Sequence, residues 1–530
     1  MIKLWGCGFL AALAMSSLSG PPAQAANTSG NWTGTWASAP ESGGDTFNQQ
    51  TIRQIVHTSI GGTVARIDLS NAFGTAPLTV DDVHIAQAGT GSAIVGGTDR
   101  AVSFAGSSSV TIPAGGEAAS DTVTMPVPAL TNIAISFHLP GTTGPSTAHQ
   151  LAMSTTYIAS GDVSGAANLA GAQTQNSYYF LSGLDVQNPD AKGTVVALGA
   201  SITDGFGSNQ DGNDRWTDAL AGRLNAAGDP VGVLNEGISG NRLLVDGSGP
   251  SAINRFDRDV LGATGVRWVI FSDDPINDLG STNPQPTAAQ LITAIQQLIS
   301  TAHQHGITFI CSTLTPYQGA GYWNASGESA REAIDTFLRG SSSGCDGILD
   351  QDTASHNPSA PTWYLPAYDS GDHLHPNNAG YQAIANAVNL SQFGTAPTSP
   401  VISLRAHANN EIVTADNAGA APLIANRTAI GPWEEFDEID EGNGQIALRA
   451  HANGQIVTAE NAGADPLIAN RTVVGQWETF QLIHNPDGSI SLKADADGDY
   501  VTAEQAGAQP LIANRTVIGT WEEFDLIQDG

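Results

Sequence analysis

The chain has 530 residues, too many for one hydrophobic core, so two to four domains are expected. Hydrophobic residues make up 41% and charged residues 13%, and 19 Lys and Arg against 51 Asp and Glu leave a net charge of −32. A chain so poor in cations repels nucleic acid and anionic membranes, which excludes both as main partners but leaves polysaccharides open.

Residues 1–25 read as a secretory signal. Lys3 is the positive start, Leu4 to Leu18 the apolar stretch, and Ala23-Gln24-Ala25 the small-x-small cleavage site. No later apolar run reaches the ~20 residues a membrane span needs. A soluble, extracellular protein is expected. Cys7 leaves with the signal. Cys311 and Cys345 remain, and a pair in an oxidising compartment suggests a disulfide, with two buried free thiols as the alternative. No Cys/His cluster has metal-ligand spacing, so neither a structural zinc nor any other metal is expected.

Residues 26–188 are β-rich. In Ile133 to Leu139 the large apolar residues sit at every second position, and Val64 to Ser70 does likewise with Ile67 and Leu69. Period two marks strands with one buried face, and many short strands between Gly/Pro turns predict a β-sandwich.

Residues 189–392 change character. Gly193 to Gly199 is a continuous apolar run, the mark of a strand buried on both faces. Val231 to Leu234, Val266 to Phe271, Ile307 to Cys311 and Gly347 to Leu349 repeat it. Between them lie helical stretches such as Leu291, Ile295, Leu298 and Ala302, one apolar stripe. The alternation predicts a parallel sheet covered on both faces, with ligands beyond the carboxyl ends of its strands.

Chemistry-bearing residues cluster at those ends. Ser201 follows the first strand, where a hydroxyl is presented at the sheet edge; alone it is a poor nucleophile and needs a base. The turn is not the G-x-S-x-G elbow of α/β-hydrolases, because position 203 is Thr. Asp372 and His375, three apart before a helix expected over Gln382 to Val388, can supply base and orienting carboxylate from one loop. His373 is expected to point away. Two further loops, 235–241 and 273–278, offer the N–H of Gly240 and the amide of Asn277, which with the N–H of Ser201 can cradle an oxyanion.

Four blocks in this order and spacing resemble the SGNH (GDSL-type) hydrolases, over about 192–390 and, more weakly, over the preceding β-domain. The resemblance implies an α/β/α flavodoxin-like catalytic domain. It maps the four hallmark residues onto Ser201, Gly240, Asn277 and His375, with Asp372 completing the triad and no cofactor. The chain departs from the family twice. Ala200 stands where the first block usually has Asp, and the third block reads Ser272-Asp273-Asp274-Pro275-Ile276-Asn277-Asp278 in place of a Gly shortly before Asn-Asp. Asp273 or Asp274 is expected to take over the missing polar support. Two alternatives for the acid pair are a solvated turn and acid/base work on a glycosidic bond.

Residues 391–401 carry two prolines and small polar residues, and 393–401 is expected to be a linker. From 402 to 530 three segments repeat with a 44-residue period, starting at Ile402, Ile446 and Ile490. Arg427, Arg471 and Arg515 recur in register, as do Phe436, Phe480 and Phe524. The period and number resemble a fascin-like β-trefoil, a type attached to secreted carbohydrate-active enzymes. Trp433, Trp477 and Trp521 can stack on sugar rings and Glu434, Glu478 and Glu522 can accept sugar hydroxyls. Alternatively the W-E-x-F strand is buried and Trp and Phe together fill the core. The expected function is removal of short acyl groups, acetyl first, from a polysaccharide or oligosaccharide. The alternatives are a lipase or general esterase, a glycosidase using Asp273 or Asp274, and a non-catalytic glycan-binding protein.

Overall fold

The computed structural model describes residues 32–393, 401–442, 445–471, 474–485 and 487–528. The expected secretory segment lies outside them, as do residues 394–400 of the expected linker. Among the described residues no helix is long and apolar enough to cross a membrane.

The N-terminal region is mostly β. One antiparallel sheet runs Trp32–Ala37, Leu181–Gln187, Gly62–Ser70, Glu117–Ala119, with Val123–Val127 also on Gly62–Ser70. A second contains Thr156–Ser160, Gln50–His57, Asn132–Leu139 and Leu78–Gln87 as neighbours. Ile67, Leu69 and Leu184 of the first meet Ile52, Ile85, Ile135 and Phe137 of the second in one apolar cluster. Asn132–Leu139 is more buried than its alternation implies, because Ala134 and Ser136 are covered as well. On that outer face the fully buried Arg53 gathers Ser136 Oγ and the carbonyls of Ser92, Ser164 and Ala166. Trp32–Ala37 also reaches the next domain, since the Gly34 N–H donates to Thr264 O and Thr194 Oγ.

The central sheet is entirely parallel. Its strands, labelled in chain order, are β1 (Gly193–Gly199), β2 (Val231–Gly237), β3 (Val266–Phe271), β4 (Thr308–Ser312) and β5 (Gly347–Leu349), arranged β2-β1-β3-β4-β5. Every residue of β1 is buried, as a two-faced strand requires. Helices cover the sheet. Ala288–Gln304 buries Leu291, Ile295, Leu298 and Ala302 and starts at a Thr287 cap reciprocated by Gln290. Cys311 of β4 is disulfide-bonded to Cys345 just before β5, with Cα atoms 5.7 Å apart. Chain order reverses around β1, which lies between β2 and β3, so the crevice beyond β1 and β3 is where a ligand fits. Phe393, assigned from sequence to the linker, is instead fully buried against Trp268 and belongs to this core.

The C-terminal domain is barrel-like. Its first strand, Val401–Ala406, pairs along its length with its last, Phe524–Gln528, which closes the sheet on itself. Phe436, Phe480 and Phe524 are fully buried among Leu404, Leu448 and Leu492. Trp433, Trp477 and Trp521 stay 36–38% exposed, so they do not fill the core. Glu434, Glu478 and Glu522 are buried instead. In the first unit Glu434 accepts the Thr414 hydroxyl at 2.6 Å and the Gly431 N–H at 3.0 Å, and the other two units repeat the pair of bonds. Those carboxylates brace turns and are not free for sugar hydroxyls, against the sequence reading.

Candidate active site

The site begins where β1 ends. Gly199 leads through Ala200 into a single helical turn, Ser201–Asp204. Only glycine fits there, because a Cβ on Gly199 would lie 2.2 Å from Thr203 Oγ and 2.6 Å from Asp273 Oδ1. Asp273, at the end of β3, inserts its carboxylate under the turn. It accepts the N–H groups of Ala200 (3.0 Å), Ile202 (2.8 Å) and Thr203 (3.3 Å) and the Thr203 hydroxyl (2.8 Å). The Ser201 N–H is left out of this set, on the first turn where no intrahelical carbonyl reaches it.

The far end of the domain supplies the partner. Ser201 Oγ lies 2.8 Å from His375 Nε2, across 174 positions of sequence. His375 Nδ1 lies 2.6 Å from Asp372 Oδ2. A carboxylate can only accept, so Nδ1 carries the proton and the Nε2 lone pair faces the serine hydroxyl. Asp372 Oδ1 accepts the N–H groups of Leu374 and His375, both at 2.9 Å. Partial burial pushes Asp372 upward, but the His375 ring and these N–H donors outweigh it and hold its pKa at about 2. Phe206 packs on the His375 ring, 4.3 Å between centroids, and is 42% exposed. His373 turns away to Asp369, as expected. The following helix, Asn378–Ala387, starts four residues earlier than predicted because Asn377 caps it, accepting the N–H groups of Ala379 and Gly380.

The oxyanion candidates come from the neighbouring strand ends. Gly240 adopts φ +81°, a conformation that favours glycine. Asn277 donates one amide hydrogen to Asn241 O at 2.8 Å, and its carbonyl accepts the Tyr322 hydroxyl at 3.0 Å. Among the described residues the second amide hydrogen of Asn277 meets no acceptor. Asp278 accepts the N–H groups of Leu243 and Leu244, fixing the same loop, and burial pushes its pKa up to about 6. The stretch expected as a loop at 273–278 is largely a helix, Asp274–Ser281, with Pro275 in its first turn.

Neither acid of the pair lies in a solvated turn, the setting that one sequence reading gave them. Asp273 is 3% exposed and bound to the Ser201 turn; Asp274 is fully buried, with neither carboxylate oxygen hydrogen-bonded. Burial pushes Asp274 up to about 7. Arg255, 3.7 Å away, offsets this only partly, because it also pairs with Asp259 at 3.0 Å. Tyr322, His149 and Asp204 were not singled out from sequence. Each makes a contact distant in the chain, Tyr322 with Asn277 and His149 with Asp204, and only the position of Asp204, three residues after Ser201, was a usable signal. His407, Asp487 and Glu523, which lie close enough to share a cation, belong to the C-terminal domain.

Residues 195–388 match the family GDSL-like Lipase/Acylhydrolase. This segment is a GDSL-type acylhydrolase domain. A G-D-S-L family protein from Desulfitobacterium hafniense DCB-2 is similar at 21% identity, over 37% of this chain and 96% of that one, with a TM-score of 0.30. LAE5, an alpha/beta hydrolase enzyme from the metagenome of Lake Arreo in Spain, is 22% identical over 39% of this chain and 97% of its own, with a TM-score of 0.30. The designed 3-fold symmetric protein ThreeFoil is 21% identical over 24% of this chain and 98% of its own, with a TM-score of 0.23. No curated protein matches the chain. The acylhydrolase domain therefore contains the Ser201, His375 and Asp372 constellation together with Gly240 and Asn277.

Proposed function

We propose that the chain is a secreted serine esterase that removes short acyl groups, acetyl first, from a polysaccharide or oligosaccharide. The observation that carries the reaction is the continuous line Ser201 Oγ, His375 Nε2, His375 Nδ1, Asp372 Oδ2, with steps of 2.8 and 2.6 Å. His375 takes the Ser201 proton as the oxygen attacks the ester carbonyl, and Asp372 stabilises the imidazolium that forms. The N–H groups of Ser201 and Gly240 and the free amide hydrogen of Asn277 receive the oxyanion. His375 then gives its proton to the departing alcohol, and water cleaves the acyl-enzyme by the same route. Phe206 beside His375 offers apolar surface for a short acyl group.

The carbohydrate part rests on the C-terminal domain. We read it as a β-trefoil of three 44-residue units that binds glycan, and the N-terminal region as a β-sandwich. What supports glycan binding is one exposed tryptophan per unit at equivalent positions, Trp433, Trp477 and Trp521. Export rests on residues 1–25, with their charged start, apolar stretch and Ala23-Gln24-Ala25 site.

Hydrolysis of 4-nitrophenyl acetate, and acetate release from a panel of acetylated glycans, test the reading. Ser201→Ala is expected to lower kcat on both by at least ~10⁴. Activity that survives Ser201→Ala sinks the serine mechanism. Cleavage of nitrophenyl or lipid esters with no acetate from any glycan favours a general esterase or lipase.

A further inference from the structure

His149 belongs to the N-terminal region, on the strand Thr147–His149 between Glu41–Ser42 and Tyr178–Tyr179. It is buried, yet it touches the acylhydrolase domain: its Nε2 lies 3.1 Å from Asp204 Oδ1 and its Nδ1 lies 3.1 Å from Ala39 O. Both ring nitrogens face groups that only accept, so the ring is satisfied when both carry protons. Burial works against that charge, but Asp204 and then Glu41, 3.7 Å away, outweigh it and raise the pKa. Tyr178 stacks on the ring at 6.3 Å.

Asp204 closes the turn that begins at Ser201. Its second oxygen accepts the Ser239 N–H at 2.9 Å and the Ser239 hydroxyl at 2.6 Å. Ser239 precedes Gly240, whose N–H the proposed mechanism aims at the oxyanion. Glycine at φ +81° has no side chain to hold its peptide in place, so the bonds at Ser239 set that direction.

We propose that His149 is a positioning residue for ester hydrolysis. Its Nε2–H keeps the buried Asp204 carboxylate aimed, and Asp204 fixes Ser239, the residue just before the Gly240 N–H, against the Ser201 turn. The N-terminal region thereby completes the oxyanion hole of the domain that follows it. This inference rests on the serine-esterase reading above.

The test uses the full chain and 4-nitrophenyl acetate. His149→Ala is expected to lower kcat by about 10–100-fold with KM within about twofold, part of the ~10²–10³ that one oxyanion donor is worth. His149→Gln, whose amide N–H can still donate to Asp204, recovers most of that loss. Ser239→Ala, at the other end of the link and half-buried, lowers kcat similarly, and the double variant with His149→Ala is no worse than the poorer single. If His149→Ala does not fold, His149→Gln and Ser239→Ala carry the test: near-wild-type kcat in the first with a clear loss in the second supports the link. Wild-type kcat in Ser239→Ala overturns the proposal, as does full additivity in the double variant or a loss that appears in KM alone. Those outcomes leave the esterase reading intact if Ser201→Ala is inactive; full activity in Ser201→Ala overturns both.

Discussion

The carboxylate of Asp273, carried at the end of β3, accepts the backbone N–H of Ala200 at 3.0 Å. Position 200 is where the SGNH first block usually has its own Asp. In this chain the acid comes from the adjacent strand, and β1 and β3 pair so closely in register (Leu198 beside Phe271) that it reaches the turn. Three of the four N–H groups from 200 to 203 go to Asp273, and the fourth, on Ser201, is the one the proposed mechanism turns to the oxyanion.

This relationship predicts a rescue. Asp273→Ala leaves three buried N–H groups without an acceptor, at about 1–3 kcal/mol each, so the turn loosens and kcat falls by about 10²-fold or more. Ala200→Asp alone is also harmful, because it places a second carboxylate beside Asp273 in a buried site. Combined, Ala200→Asp with Asp273→Ala returns one acid to the turn, and steady-state kinetics are expected to recover at least tenfold over Asp273→Ala. A double variant no better than that single variant would show that the two positions are not interchangeable.

The pH dependence follows from Asp372. Its pKa is held at about 2, below the ordinary 3.8, so the carboxylate stays ionised throughout the mildly acidic range. A depressed carboxylate contributes stability above pH ~4 and loses it only as pH falls through about 2. Any acid limb of kcat/KM above pH 4 must then belong to another group. Asp372→Asn is expected to lower kcat by on the order of 10²–10⁴-fold, because the amide no longer favours the Nδ1–H tautomer. Comparing the acid limb of the wild type with that of Asp372→Asn tests the first point: a limb above pH 4 that persists in the variant belongs to another group, and one that disappears with the Asp372 carboxylate would contradict it.

What the sequence made legible were features set by local chemistry. The uninterrupted apolar run of β1, the Leu291–Ile295–Leu298–Ala302 stripe and the Asp372–His375 spacing are each written within a few residues. The links that were not legible join distant segments. Tyr322 reaches Asn277, and His149 reaches Asp204, only because the chain is folded. The glutamates of the C-terminal domain misled for a related reason. Polar type alone does not tell a bracing carboxylate from an exposed one, and the Thr414 partner lies on a different strand, 20 residues before Glu434. The helix at Asp274–Ser281 was hidden by an acidic, Pro-containing start that reads equally as a turn.

Asp274 predicts a stabilising substitution. Its folded pKa, about 7, lies above the ordinary 3.8, so the folded chain keeps a proton that the unfolded chain releases. Stability from this group is full below pH ~4 and drains away as pH rises to about 7. Asp274→Asn removes the ionisation while keeping the shape. At pH 8 it is expected to stabilise by on the order of 2–4 kcal/mol, from about three pH units at 1.36 kcal/mol each, and to be nearly neutral at pH 4. Urea midpoints at the two pH values measure this, and an equal effect at both would rule out the ionisation.

In the C-terminal domain, tryptophan and glutamate substitutions should separate binding from folding. Trp433, Trp477 and Trp521 are the exposed aromatics of their units, while the adjacent glutamates are buried under their own turns. Retention on insoluble glycans is measured with the full chain carrying Ser201→Ala, so that substrate is not consumed. Each Trp→Ala alone is expected to weaken retention modestly, and the triple variant to abolish it, because simultaneous sites multiply affinity through effective concentration. Glu434→Gln puts an amide NH2, which cannot accept, in place of one of the two oxygens that accept the Thr414 hydroxyl and the Gly431 N–H, so it costs about 1–3 kcal/mol of stability, lowers the melting temperature and leaves retention of the folded protein unchanged. Retention lost in Glu434→Gln at full stability would return the glutamates to the binding surface, and full retention in the triple Trp variant would remove the tryptophans from it.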